Sequence, residues 1–201
     1  MECWTILIFK LSDPGREFGA FGIEAFLEPR AILEQLSRLK QIERRNRVSK
    51  HLAISPEEAA DRLAIRELVE AYAHCADRRD AKGQMALFTA DTHFVVYMNA
   101  KNPTPTQELH SRDALAPVFA DLNQYDATTH FVGQSTVFTL EATRATGEAY
   151  CLAHHVFTKD EKQRLMLASL RYLDTFAKTD GAWLFAERLL YVDWLEERSL
   201  S

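Results

Sequence analysis

"ATRATGEAYCLAHHVFTKDEKQRLMLASLRYLDTFAKTDGAWLFAERLLYVDW", residues 142–194, decides the fold. Residues 145–158, 163–178 and 182–194 each alternate in strand fashion, and "KDEK" and "KTDG" separate them with turn chemistry. "TTHFVGQSTVF" supplies one more strand, about 128–141, which turns at "EATR". Adjacent strands joined by such short turns pair antiparallel. One strand face is nearly bare. Thr146, Glu148, Tyr150, Leu152 and His154 share one side, while Ala145, Gly147, Ala149, Cys151 and Ala153 share the other and lead to His155. Small residues there either make room for large side chains of a covering helix, such as Tyr72 or Phe88, or leave a hollow beside an imidazole.

Helices precede the strands. In "SPEEAADRLAIRELVEAYAHCAD" Ser55 is the predicted N-cap, Pro56 the first helical residue and Glu58 the partner in a capping box. Leu63, Ile65, Leu68, Val69, Tyr72 and Ala76 recur at helical spacing. A second helix is expected over about 80–89, with Asp80 as its N-cap, followed by a strand "HFVVYM", a loop "NAKNPTPTQ" and a third helix capped by Ser111. Helices followed by a run of strands indicate an α+β fold, a curved antiparallel sheet packed on N-terminal helices. The domain should span 55–198. Residues 1–54 form an N-terminal extension: a short apolar run, a loop, and a helix with Ile32, Leu36, Leu39 and Ile42 in its stripe and a basic end.

Composition narrows the function classes. A chain of 201 residues supports one core. The net charge of −5 offers nothing for nucleic acid or an anionic membrane to bind. Cys3, Cys75 and Cys151 fit no disulfide framework, so a reducing cytoplasm is the expected compartment. Apolar runs are too short to span a bilayer. GxGxxG, P-loop, HExxH, CxxC and GxSxG patterns are missing from the sequence, so neither an organic cofactor nor a metal is expected.

Four residues invite chemistry, each with a plainer alternative. His130 opens a strand, where a histidine is more often a paired structural residue. His155 ends the bare face. Asp77 sits at a helix C-terminus, where a carboxylate opposes the macrodipole at a cost of about 0.3–1 kcal/mol, so a partner should offset it; Arg78 and Arg79 are the simplest ones. Tyr97, read alone, is a core residue.

The succession "AYAHCADRRD", "LFTADTHFVVY", "THFVGQSTV", "ATGEAYCLAHH" and "RYLDTFAKTDGAWLFAERLLYVDW" resembles the SnoaL-like branch of the nuclear transport factor 2-like superfamily over residues 55–195, and within it the scytalone dehydratases. The resemblance implies a cone-shaped sheet around an apolar pocket. It also implies a catalytic set of Asp77, Tyr97, His130 and His155, with Tyr72, Ala149, Cys151 and Ala153 as the substrate-binding wall. The dehydratases carry a second tyrosine just before the aspartate, where this chain has Ala76, so carbonyl polarisation must be arranged differently. The implied activity is cofactor-independent dehydration or isomerisation of a small apolar hydroxy-carbonyl compound by a homo-oligomer. Two other roles share the fold: a ligand-binding protein without chemistry, and an assembly subunit like the small subunit of ring-hydroxylating dioxygenases.

Overall fold

The computed structural model describes residues 54–200, so the expected features of residues 1–53 lie outside the described residues. Helix α1 is Pro56–Arg78, and Ser55 Oγ accepts from Glu58 N–H at 3.1 Å. The capping box is half realised, because the Glu58 carboxylate accepts from Arg62 instead. Arg79 stops the helix in the left-handed region at φ 57°. Asp80 caps α2, Ala81–Ala86, which ends earlier than predicted because the chain enters β1, Phe88–Tyr97.

The loop "NAKNPTPTQ" leads into a strand that the sequence reading missed, β2, Gln107–Leu109. Ser111 Oγ accepts from Ala114 N–H, a 3₁₀ turn Asp113–Leu115 follows, and Pro117 sits harmlessly in the first turn of α3, Ala116–Ala120. A second 3₁₀ turn, Asp121–Gln124, leads to β3 (Ala127–Leu140), β4 (Arg144–Lys159), β5 (Lys162–Thr179) and β6 (Ala182–Ser199).

The six strands form one sheet in the order β2-β1-β6-β5-β4-β3. The predicted meander β3 to β6 is antiparallel throughout. The exception is β1, which runs parallel to β6, with Phe94 opposite Arg188. A helical crossover is not needed there, because the whole meander connects the two strands.

Helix α1 lies on the concave face. Its Ile65, Leu68, Val69 and Tyr72 share one buried cluster with Ala145, Ala149, Cys151 and Ala153 of β4 and with Tyr172, Phe176 and Phe185. The bare face of β4 therefore receives a helix and aromatic rings. At Gly147 the fit is tightest: a Cβ would stand 2.8 Å from the Thr136 carbonyl oxygen and 3.2 Å from Phe176.

The same core contains a fully buried charge. Arg188 donates from Nε and Nη2 to the two oxygens of Asp174, both at 2.8 Å. Its guanidinium lies 4.1 Å from the ring centre of Tyr72, 4.2 Å from Tyr172 and 4.0 Å from Phe185. Rings around a desolvated guanidinium contribute cation–π attraction of about 2 kcal/mol or more, and the bidentate carboxylate balances the charge. Removing only the carboxylate leaves that charge stranded. Asp174→Ala should therefore cost about 3–5 kcal/mol in urea denaturation, and Asp174→Ala with Arg188→Met should cost less than the single change. A double variant as unstable as the sum of the two singles would contradict this account.

Candidate active site

Register sets the site. On β3 and β4 Thr128 pairs with His155 and His130 with Ala153, so the two imidazoles are diagonal neighbours on the concave face. Their ring centres are 5.3 Å apart and nearly perpendicular. Helix α1 ends directly over this corner. The Asp77 carboxylate accepts from the His130 backbone N–H at 2.9 and 3.0 Å and from its ring Nδ1–H at 2.7 Å. The offset that a carboxylate at a helix C-terminus requires is thus His130, not the neighbouring arginines. In the neutral imidazole, donation from Nδ1–H to Asp77 leaves the lone pair on Nε2.

His155 has a different environment. It is buried, and among the described residues neither ring nitrogen has a hydrogen-bond partner. Tyr125 stacks on it at 4.5 Å between ring centres. The Tyr125 carbonyl in turn accepts from Arg79 Nη2 at 2.7 Å, so the residue that ends α1 also positions this tyrosine. Burial first, and the neighbouring His130 second, push the His155 pKa from 6.5 down to about 4. At neutral pH it is therefore an uncharged imidazole with unmet hydrogen-bonding capacity. Leaving such a group unpaired costs about 1–3 kcal/mol, which a polar group on a ligand would recover.

Both histidines line a cavity of about 370 Å³. That lies within the range of small-molecule sites, about 300–1,000 Å³. Its wall is mainly apolar, including Phe94, Val96, Val118, Leu170, Leu190 and Val192. Its polar lining residues are Gln84, Gln107, Asp121, Gln124, the two histidines and the tyrosines Tyr72, Tyr125 and Tyr172. Burial also raises the pKa of the Tyr125 phenol, keeping it a hydrogen-bond donor.

Of the predicted set, the structure brings together Asp77, His130 and His155, and Tyr72 lines the same cavity. Tyr97 is not brought in. Phe94 and Val96 line the cavity, so alternation turns Tyr97 to the opposite face, where it stacks on Tyr191 at 4.5 Å. Ala149, Cys151 and Ala153 are likewise corrected: they are core beneath α1 and aromatic rings, not cavity wall. Burial pushes the Cys151 thiol up to about 11, which keeps it protonated. Among the polar lining residues that sequence reasoning missed are Gln84, Gln107, Asp121, Gln124, Tyr125 and Tyr172. Tyr125 sits in an aperiodic stretch, "NQYDATTH", and only its place just before the His130 strand hinted at it.

A family model described as a SnoaL-like domain matches residues 57–189. The chain belongs to the SnoaL-like family. No curated protein is significantly similar to it. Solved structures similar to this SnoaL-like chain include a protein provisionally assigned as a scytalone dehydratase from Novosphingobium aromaticivorans. It is 22% identical with TM-score 0.59, over 72% of this chain and 91% of that one. A hexachlorocyclohexane dehydrochlorinase is 16% identical with TM-score 0.56, over 72% and 91% of the two chains. The beta subunit of a provisionally assigned aromatic-ring-hydroxylating dioxygenase, also from Novosphingobium aromaticivorans, is 20% identical with TM-score 0.57, over 69% and 93%. These likenesses establish the SnoaL-like α+β fold, with its helices packed on an unclosed curved sheet. Among the described residues no helix is long and apolar enough to cross a membrane.

The buried His155 gives a prediction about pH. Its folded-state pKa lies below the unfolded value, so the stability it contributes is complete above about pH 6.5 and is lost as pH falls through 4. A drop from 6.5 to about 4 corresponds to about 3 kcal/mol. Urea denaturation at pH 7.5 and 4.5 should show the loss in the wild type and a much smaller one in His155→Phe. Equal losses in both proteins would place the pH sensitivity elsewhere.

Proposed function

We propose that the protein is an acid–base enzyme that eliminates water from, or isomerises, a small apolar hydroxy-carbonyl compound. The carrying observation is the Asp77–His130 pair at the wall of an apolar cavity, since it fixes one imidazole tautomer where a substrate carbon could reach it. Two similar structures are named for eliminations, a dehydratase and a dehydrochlorinase, which supports the reaction class. The chemistry asked of this chain needs a base, a donor for the enolate oxygen and a partner for the leaving group.

His130 Nε2 takes the proton alpha to the carbonyl, and Asp77 stabilises the imidazolium that forms. The electron pair enters the carbonyl as an enolate, whose oxygen accepts from the Tyr125 phenol. The enolate collapses, the carbon–oxygen bond at the beta position breaks, and the hydroxyl leaves as water with the proton held by His130. His155 donates a hydrogen bond to the departing oxygen. At its lowered pKa it acts as a neutral donor, not as an imidazolium acid. In isomerisation the same proton returns to a different carbon. Tyr125 thus stands in for Tyr97, the tyrosine of the catalytic set that the family resemblance implied.

The open cavity with an unpaired imidazole in its wall favours a ligand-handling role over the assembly subunit, whose pocket would be filled. Turnover separates enzyme from carrier. With cyclic β-hydroxy ketones as substrates, His130→Gln should lower kcat by about 10²–10⁴-fold while the protein stays folded. Asp77→Asn should lower kcat with a smaller effect on KM, because it disturbs the tautomer more than the pocket. Turnover unchanged in His130→Gln would overturn the proposal, and tight binding without turnover in the wild type would make the protein a carrier.

A further inference from the structure

A second cluster of imidazoles lies away from the cavity. Because Phe94 and Val96 of β1 face the cavity, His93 faces the other side of the sheet. The β1–β2 register sets Phe94 opposite Leu109 and Val95 opposite Glu108, and His110, the residue after β2, stacks on His93. On the other flank β6 places Glu187 directly beside His93. Three strand side chains and His110, the residue that follows β2, thus meet on the outer face.

Their contacts converge. His93 Nδ1 is 2.9 Å from Glu187 Oε1, and His93 Nε2 is 2.9 Å from Glu108 Oε1. His110 Nε2 is 3.6 Å from that same Glu108 oxygen. The two imidazole rings stack at 4.8 Å with planes 8° apart. One ligand atom from each of His93, Glu108 and His110 falls within 4.8 Å of the others.

We propose that His93, Glu108 and His110 form a zinc site on the outer face of the sheet, with Glu187 as the carboxylate that orients His93. Two imidazoles and a carboxylate suit zinc and leave a fourth position for water, whereas calcium and magnesium prefer oxygen donors. Tetrahedral bonds of about 2.0–2.1 Å place ligand atoms about 3.3 Å apart. Glu108 stands 2.9 and 3.6 Å from the two imidazoles and the three ligand atoms lie within 4.8 Å of one another, so closing the site requires His110 to turn out of its stack on His93. His110, the most exposed of the three, has room to complete the closure. The supporting contact is already built. Glu187 accepts from His93 Nδ1–H, and its other oxygen accepts from the Thr175 hydroxyl at 3.3 Å; zinc would displace the proton that His93 Nε2 shares with Glu108. Carboxylate–histidine–zinc arrays of this kind fix the tautomer and raise ligand basicity.

No sequence motif announced this site, because its ligands lie 15 and 2 residues apart, on β1, on β2 and just past the end of β2, and only the pairing of β1 with β2 aligns them. Its consequence is mechanical. Zinc would tie the three-residue strand β2 to β1, and β2 carries Gln107, which lines the cavity.

The test is calorimetric titration of the full, untagged chain with zinc chloride, alongside Co²⁺ absorption spectroscopy. One saturable equivalent and a tetrahedral Co²⁺ spectrum are expected. His110→Ala and Glu108→Gln should each weaken binding at least 10-fold. Glu187→Gln should weaken it about 10–100-fold although it donates no ligand. His155→Phe should leave binding unchanged. Absence of saturable binding, or binding kept in His110→Ala and lost in His155→Phe, overturns the proposal; the second result would move the metal into the cavity.

Discussion

One carboxylate joins the two halves of this fold where its chemistry is proposed to happen. Asp77 closes α1 and accepts from both the backbone and the ring of His130 on β3. A helix C-terminus disfavours a carboxylate, and an edge strand leaves backbone N–H groups unpaired; the contact resolves both problems. It also fixes the distance between helix and sheet at the end where the aromatic packing stops. A rigid corner results, and the cavity lies against it.

The concave face divides into two regions. Towards one end, the small side chains of β4 allow Tyr72, Tyr172, Phe176 and Phe185 to pack around the Arg188–Asp174 pair. Towards the other, the small series ends at His155, and the space opens into the cavity. Buried charge and open pocket are therefore neighbours. Tyr72 belongs to both, with one side against the guanidinium and another in the cavity wall. This shared side chain couples core packing to pocket shape.

Much of this was legible in the sequence for physical reasons. Period-two alternation and polar turns mark β3 to β6, and Ser-Pro marks the start of α1. The macrodipole argument said that Asp77 needs a partner and the family resemblance put it in one set with His130; the contact between them is read from the structure. The parallel β1–β6 contact and the three-residue β2 were not legible, since a strand that short has no periodicity and a loop with two prolines leads into it. The misplacement of Tyr97 has the same root: strand parity cannot be assigned until one residue's face is known, and Phe94 supplies that only in the structure. The bare face of β4 allowed two readings, and the packed one holds for Ala149, Cys151 and Ala153, while only His155 reaches open space.

The central claim is that Asp77 holds His130 with its proton on Nδ1 and a free lone pair on Nε2 in the cavity wall. Long-range proton–nitrogen correlation NMR of the imidazoles, recorded at neutral pH on the full chain, tests it most directly. The account predicts a protonated Nδ1 and an unprotonated Nε2 for His130, with that preference lost in Asp77→Asn. A His130 that carries its proton on Nε2, or on both nitrogens, would contradict it.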